Sequence, residues 1–425
     1  MPPVRIFREE DSPAGLSREA ILSAVRDSLA GKRLHKVLLV PPDFTRFYSN
    51  AGLITNAYWH LLRDQGADVD VLPALGTHVA MTEAECAEMF GDIPYDKILY
   101  HDWRNDVVEI GTVGAGYLKE ISEGLWDLPI RCEVNRRLMD PSYDLIVSIG
   151  QVVPHEVVGI ANHAKNLFVG CGGKDMISKS HMLGAVYGME RMMGRDHTPV
   201  RKLFDYCFDT FLKDRPVLFC LTVTTAPGGI IHTHGLYIGE EREGFERACA
   251  LCQKKNLIFL DRPIRKCIVY LEPKEFKSTW LGNKAVYRTR MAIADGGELL
   301  VLAPGVFHFG EDPKNDAIIR KYGYPGRLEV LDLFRKNADL RDNMGVAAHL
   351  IHGSSDGRFS VTYAVKKIAR EEIESVHFRA ADYDEAVKRY SPETLVPGWN
   401  VMPDGEEIFF IPNPALGLWV DKTRF

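Results

Sequence analysis

The chain has 425 residues and a formal net charge of −6 at pH 7. Its hydrophobic and charged fractions, 46% and 26%, are those of a globular protein with a real core, and its length allows two domains. The acidic balance argues against a nucleic-acid partner, which normally requires a basic surface. The sequence has no run of about 18 apolar residues, and charges stand near the N-terminus where a secretion signal needs an apolar core. We therefore expect a cytoplasmic protein with no membrane partner.

The first two thirds of the chain alternates short apolar runs with helical patterns. Strands are predicted at Lys36–Pro41, Asp68–Leu75, Lys97–Tyr100, Tyr143–Ile149 and Pro216–Thr225. Helices are predicted at Ala51–Gln65 and Glu83–Met89. This alternation is typical of a mostly parallel sheet that is covered by helices on both faces.

A strand at Cys267–Leu271 opens a region with its own alternation. The region continues with a helix at Lys284–Ala294, a strand at Glu298–Leu302, helices across Asp312–Ala347, a helix at Ala381–Tyr390 and a hairpin around Pro403–Gly405. We therefore predict an α/β protein with a larger, mostly parallel domain at residues 1–265 and a smaller α/β domain at 266–370. The active site is expected in the cleft between them, and the tail, residues 371–425, is expected to pack back on the larger domain.

Polar residues follow the first two predicted strands, at the positions where open α/β sheets bind ligands. Asp43 and Arg46 come after Lys36–Pro41, and a carboxylate and a guanidinium in one loop can meet one ligand together. His78 ends a Gly-Thr-His turn after Asp68–Leu75, where an imidazole can take and return a proton near neutral pH. Two structural interpretations stay open: Asp43 as a helix cap beside a surface arginine, and His78 as a hydrogen-bonded loop histidine.

A longer polar segment follows the strand at Tyr143–Ile149. It carries His155, His163 and Lys165 among glycines, which let a backbone approach a ligand closely. A lysine here suits phosphate binding or reaction as an amine. His181, farther along, is a candidate metal ligand because imidazole is the commonest one. The alternatives are a glycine-rich surface loop with solvated lysines and a histidine that binds no metal.

One family has the same side chains in the same order. The chain resembles the lactate racemase family at Asp43-Phe44-Thr45-Arg46, Gly76-Thr77-His78, His155, Lys165 and His181. The resemblance implies a cofactor, the nickel-pincer nucleotide (pyridinium-3,5-bisthiocarboxylic acid mononucleotide nickel). Lys165 matches the lysine that is tethered to this cofactor. His181 matches the histidine that binds nickel beside three donors of the cofactor, which suits the square-planar preference of Ni(II).

The resemblance also implies a reaction. The family inverts the hydroxyl-bearing carbon of a 2-hydroxy acid by hydride transfer to and from the cofactor, and His78 and His155 match its two catalytic histidines. Asp43 and Arg46 match a pair beside cofactor and substrate. Arg46 would engage an anionic group, and Asp43 would orient a histidine or bind the cofactor's sugar. By the same resemblance, residues 1–265 form the cofactor-binding and catalytic domain, and the smaller domain caps the substrate site.

The second domain departs from the family pattern. Tyr287 is retained and is assigned to cofactor binding, but Arg288 stands in place of a glutamine and Met291 in place of a substrate-facing lysine. Arg288, Arg290 or Lys284 would then supply the missing cation, with Arg288 as the predicted substrate-binding residue. The change argues against lactate and favours malate-like or aldonic acids. A structural interpretation, in which Arg288 and Arg290 are helix-surface residues, stays open.

The predicted function is therefore that of an isomerase, a racemase or epimerase, whose partner is a small-molecule 2-hydroxy acid. One alternative is a conventional metal-dependent hydrolase or lyase that uses His78, His155, His163 and His181. Another is a ligand-binding relative without catalysis. The sequence leaves the oligomeric state open.

Overall fold

The chain forms two compact units. A computed structural model describes residues 3–425, except for the side chain of Leu416. The first unit comprises the chain up to Ser180 together with Met193–Asn256, and the second comprises His181–Met192 and Leu257–Phe425. No helix among the described residues is long and apolar enough to cross a membrane.

The first unit is built on a six-stranded sheet and two small β-pairs. Its strands are β1 (Arg5–Glu9), β2 (Lys36–Val40), β3 (Asp68–Val71), β4 (Val107–Val113), β5 (Ile130–Asn135), β6 (Leu145–Gln151), β7 (Pro154–His155), β8 (Gly159–Ile160), β9 (Val217–Thr225) and β10 (His232–Gly239). Its helices are α1 (Arg18–Ser28), α2 (Ala51–Asp64), α3 (Glu83–Phe90), α4 (Ala115–Ile121), α5 (Arg136–Met139), α6 (Lys174–Tyr187, which continues into the second unit), α7 (Pro199–Cys207) and α8 (Arg242–Asn256).

The large sheet has the order β1-β10-β9-β6-β2-β3. Strands β9, β6, β2 and β3 run parallel, and β10 pairs antiparallel with both β9 and β1. Strands β2, β6 and β9 are buried along almost their whole length, as is typical of parallel strands that are covered on both faces, whereas β3 at the edge alternates between buried and more exposed residues. Since β6, β2 and β3 are neighbours and parallel, the loops that follow them leave the sheet at one edge. The predicted mostly parallel sheet is confirmed.

The second unit has its own six-stranded sheet, of order β15-β14-β13-β12-β17-β16. Its strands are β11 (Ile258–Leu260), β12 (Ile264–Tyr270), β13 (Ile293–Ala303), β14 (Ser360–Val365), β15 (Arg379–Asp382), β16 (Gly398–Val401), β17 (Glu407–Ile411) and β18 (Trp419–Asp421). Its helices are α9 (Thr279–Gly282), α10 (Lys284–Tyr287), α11 (Pro313–Tyr322), α12 (Arg327–Lys336), α13 (Ala338–Asp342), α14 (Met344–His352), α15 (Arg370–Ser375) and α16 (Tyr383–Arg389). All pairs in this sheet are parallel except β16 with β17.

The tail differs from its predicted place. Residues 371–425, expected to pack on the larger domain, contribute β15, β16 and β17 to the sheet of the second unit. The reason is that β17 pairs in parallel with β12, so the tail completes the sheet on the far side of β12. The predicted hairpin around Pro403–Gly405 joins β16 to β17.

Two predicted elements are wrong in detail. Lys97–Tyr100 is not a strand, because β3 ends at Val71 and leaves only one β-bridge, between Val71 and Ile98. The helix predicted at Lys284–Ala294 stops at Tyr287. Beyond it, the carbonyls of Arg288 and Met291 accept hydrogen bonds from the amides of Trp419 and Asp421. Those carbonyls are therefore used by tertiary contacts.

The place of the tail predicts the effect of one substitution. Ile411 on β17 is fully buried, so Ile411→Ala should destabilise the protein by about 2–5 kcal/mol through lost burial and the cavity it leaves. Denaturant unfolding measures the change. Val401→Ala, at a side chain that is 72% exposed on the neighbouring strand, should stay within about 0.5 kcal/mol. Equal stability of the two variants would contradict a structural role for β17.

Candidate active site at the carboxyl ends of parallel strands

Asp43 is a buried carboxylate that holds a histidine. It precedes a 3₁₀ helix at Phe44–Ser49, yet its side chain makes no capping hydrogen bond to that helix. Its Oδ2 instead lies 2.5 Å from His78 Nδ1, and its Oδ1 accepts a hydrogen bond from Thr45 Oγ1 at 2.5 Å. Asp43 is 5% exposed, and the side chain of His78 is 56% exposed. The helix-cap interpretation of Asp43 is therefore wrong, and the two predicted loops share one contact.

The electrostatics of Asp43 favour its charged form. Burial alone would raise its pKa, but the hydrogen bonds from His78 and Thr45, together with the charges of His78 and Arg46, lower the pKa below the ordinary value. Arg46 is exposed, and its amide donates to the Asp43 carbonyl at 3.0 Å. Asp43 is thus an anion at neutral pH, and it accepts the proton on His78 Nδ1. The Nε2 of a neutral His78 then carries the free lone pair.

Backbone hydrogen bonds connect the loops that carry the candidate residues. The amide of Ala74 donates to the Pro41 carbonyl at 2.8 Å, which links the loops after β2 and β3. The amide of Gly76 donates to the Gly170 carbonyl at 2.8 Å. Gly76 has a φ of 57°, where residues with a side chain are strained. The segment that begins at Lys165 is therefore fixed against the His78 turn.

Lys165 lies directly before a π-helical turn, Asn166–Gly170, and its side chain is half-buried. Among residues 3–425, its amine has no hydrogen bond or ion pair. Burial and the positive charge of Arg46 lower its pKa to about 8, against smaller opposite effects of Glu156 and Asp43. A larger fraction of this amine than of an ordinary lysine is therefore unprotonated near neutral pH, and that form is a nucleophile.

His155 lies in a tight hairpin of β7 and β8 and is 8% exposed. The amide of Val157 donates to its Nδ1 at 3.1 Å. That nitrogen must therefore hold a lone pair, and the proton of the neutral ring sits on Nε2. The neutral forms of the two histidines consequently differ: the proton of His78 is on Nδ1, whereas the proton of His155 is on Nε2.

Other residues near these loops have structural roles. His163 is 4% exposed and stacks on Phe219 with ring centroids 3.9 Å apart, so it belongs to an aromatic core. Burial, together with nearby arginine charges, lowers its pKa well below the ordinary value and keeps it neutral. Lys179 donates to the Pro129 carbonyl at 2.7 Å and pairs with Asp175. The side chains of His163 and Lys179 are therefore engaged in contacts within the protein, and neither is assigned to ligand binding.

The second unit holds the other predicted residues. His181 and Arg288 are half-buried, and Tyr287 is 7% exposed. Arg290, one of the candidate cations, is 2% exposed and pairs with Glu190 at 2.9 Å and Asp356 at 3.3 Å.

Position 291 differs from the expected pocket position. Met291 is 1% exposed, so the position where the family resemblance expects a lysine is part of the core of the second unit. Arg290 is likewise used in an internal ion-pair network.

The described residues contain no group of three or more histidine, cysteine, aspartate or glutamate side chains that could hold a metal ion.

The contact between Asp43 and His78 predicts a titration. Because the pKa of Asp43 is lowered, its ionised form stabilises the fold at neutral pH, and this stabilisation is lost as the pH falls through the folded-state pKa. His78→Ala should raise the pKa of Asp43, as measured by carboxyl ¹³C NMR, because it removes a hydrogen bond and a positive charge that lower this pKa. His60→Ala, which removes a similar contact to Asp92, should leave Asp43 unchanged. An unchanged Asp43 titration in His78→Ala would refute the contact.

Lys165 predicts a chemical reactivity. Acetylation of Lys165 in the apoprotein, followed by peptide mass spectrometry, should have its midpoint near pH 8. Arg46→Met should move the midpoint upward, because it removes a positive charge that disfavours the ammonium form. Arg63→Met, at an arginine that pairs with Asp68, serves as the control. A midpoint near the ordinary lysine value in the unmodified protein would be inconsistent with this environment.

Comparisons with known proteins show which family and fold the chain is similar to. Residues 18–193 match the model of the lactate racemase N-terminal domain. A crystal structure of a Thermotoga maritima protein is 24% identical, with a TM-score of 0.79, and the match covers 98% of this chain and 100% of that chain. The lactate racemase apoprotein from Thermoanaerobacterium thermosaccharolyticum is 16% identical, with a TM-score of 0.70, over 98% and 99% of the two chains. A search of curated proteins found no match. Residues 18–193 therefore belong to the lactate racemase family as its N-terminal domain, and the whole chain has the fold of the lactate racemase apoprotein.

Proposed function

We propose that this protein is a racemase or epimerase that inverts carbon 2 of a 2-hydroxy acid with the help of a nickel-pincer nucleotide. The match to the lactate racemase N-terminal domain supports the reaction class. The observation that carries the proposal is the pair of dissimilar imidazoles in one unit, His78 bound to Asp43 and His155 bound to the Val157 amide. An inversion at a hydroxyl-bearing carbon needs one group that takes the oxygen proton and one that donates toward the oxygen.

The residues present fit the proposed cofactor. Lys165 offers a half-buried amine with a pKa of about 8 and, within the described chain, no hydrogen-bond partner, as a covalent tether requires. His181 offers an imidazole as the single protein ligand to nickel. When bound, the nucleotide would supply the acceptor for the hydrogen of carbon 2 and its electron pair.

The chain's own residues would manage the proton on oxygen. His78 Nε2 would take the hydroxyl proton, and the buried Asp43 carboxylate would stabilise the imidazolium that results. His155 would donate a hydrogen bond from Nε2 to the same oxygen. Arg46 is exposed on the 3₁₀ helix that follows Asp43, and it would bind the substrate carboxylate.

The substrate is proposed to be larger than lactate. Met291 is buried where a substrate-facing lysine is expected, and Arg290 is engaged with Glu190 and Asp356. We propose Arg288, which stands in place of the family's glutamine, as the substrate cation of the second unit. A guanidinium binds a second carboxylate or a row of hydroxyls well, so we propose malate-like or aldonic acids.

Isotopic labelling tests the reaction. Cofactor-loaded protein should convert a 2-hydroxy acid, labelled with deuterium at carbon 2, into its epimer with the label retained, and should do so faster for malate or an aldonate than for lactate. Chiral chromatography with mass spectrometry measures both. Loss of the label to solvent would point to simple deprotonation, and no epimer from any of these acids would refute the proposal.

The difference between the two histidines predicts unequal variants. His78→Gln removes a proton acceptor, so it should lower kcat by about 100-fold or more. His155→Gln keeps an N–H donor, so its loss in kcat should be about one tenth as large. Steady-state kinetics of loaded proteins with equal nickel content measures the two losses. Lys174→Ala, at an exposed lysine of the first unit, serves as the control for handling. Equal losses would contradict the assigned roles.

A further inference from the structure

Arg201 is a fully buried arginine for which the proposed reaction gives no role. It lies on α7 in the first unit and is 0% exposed. A buried guanidinium is costly unless it is paired, so its contacts are informative. Its Nη2 donates to the carbonyl of Ile160 at 2.7 Å and to that of Asn162 at 3.1 Å. Both carbonyls belong to the segment that connects His155 to Lys165.

That segment has an unfavourable backbone. Asn162 and His163 have φ angles of 71° and 56°, and both are residues with side chains in the left-handed half of conformational space. Lys165 follows two residues later. Such a conformation persists only where surrounding contacts hold it. One hydrogen bond from Arg201 goes to the carbonyl of Asn162 itself, and the other goes to the carbonyl of Ile160, two residues earlier.

The first turn of α7 adds a second contact to the same segment. Thr198 Oγ1 donates to the Val158 carbonyl at 2.8 Å and accepts the amide of Arg201 at 3.1 Å. The amide of Gly194 donates to the Gly159 carbonyl at 3.0 Å. The residues before and within α7 therefore bind the hairpin of His155 at consecutive carbonyls.

The environment of Arg201 keeps it in place. Its guanidinium carbon lies 4.4 Å above the centroid of the Phe245 ring, and Asp205, one turn along α7, provides a negative charge. Asp205 also pairs with Arg242. A lysine could keep the charge of Arg201, but it could not present the flat guanidinium to Phe245 together with the same pair of hydrogen bonds.

We propose that Arg201 is a positioning residue of the site, which holds the segment between His155 and Lys165 in its left-handed conformation and thereby sets where the Lys165 amine lies. The proposal concerns the apoprotein and does not depend on the proposed reaction, so the two can fail separately.

The test is the pH dependence of Lys165 acetylation in the apoprotein, with peptide mass spectrometry as the readout. If Arg201 holds the segment, Arg201→Lys should let the amine reach water and move the midpoint upward from about pH 8 by about one unit, a roughly ten-fold lower rate at pH 7.5. Arg201→Met should move it at least as far, because it also removes the positive charge of Arg201, which by itself lowers the pKa of Lys165. Because Arg201→Lys keeps the positive charge, a shifted Lys165 midpoint in this variant would come from lost positioning and not from lost charge. Thr198→Val should produce a smaller shift in the same direction, and it stays informative if an Arg201 variant does not fold.

A matched control is present in the same unit. Arg215, which lies just before β9, also donates to two backbone carbonyls, those of Leu138 and Asp140. Arg215→Lys should leave the Lys165 midpoint unchanged. An unshifted midpoint in both Arg201→Lys and Thr198→Val would overturn the proposal, as would an equal shift in Arg215→Lys. Circular dichroism establishes that each variant is folded.

Discussion

The contact between Asp43 and His78 depends on the order of the strands in the first sheet. Neighbouring parallel strands end at one edge, and the loops after β2 and β3 are linked there by the hydrogen bond from Ala74 to Pro41. This brings a carboxylate and an imidazole, 35 residues apart in the chain, to a separation of 2.5 Å. Without that edge, Asp43 would keep only the hydrogen bond from Thr45 and would lose its contact with His78, and a buried charge with so few partners is costly.

The surroundings of the site favour the charged form of Asp43 and the neutral form of Lys165. Asp43 is buried but stays ionised because hydrogen bonds and positive charges surround it. Lys165 is half-buried and has no anionic partner in the described chain, so burial and the charge of Arg46 lower its pKa. In the proposed function, the Asp43 anion would support proton transfer at His78, and the Lys165 amine would form the covalent bond to the cofactor. One arginine, Arg46, acts on both groups.

Local patterns in the sequence predict the parts of this arrangement that depend on strand order. Apolar runs such as Lys36–Pro41 predict buried parallel strands, and polar residues after them predict a site at the strand ends. Contacts over long separations leave no such pattern. The tail completes the second sheet through β17, and the carbonyls of Arg288 and Met291 bind β18, which ends the predicted helix early. Likewise, nothing near Arg201 in the sequence indicates that it binds the carbonyls of Ile160 and Asn162.

The proposed function depends on Lys165 as the residue that would carry the nickel-pincer nucleotide. Peptide mass spectrometry, with nickel analysis, of protein produced together with the enzymes that make this cofactor tests it most directly. The account predicts a covalent nucleotide adduct on Lys165 and about one nickel per chain, as a single-site cofactor requires. An active protein in which Lys165 is unmodified would contradict it.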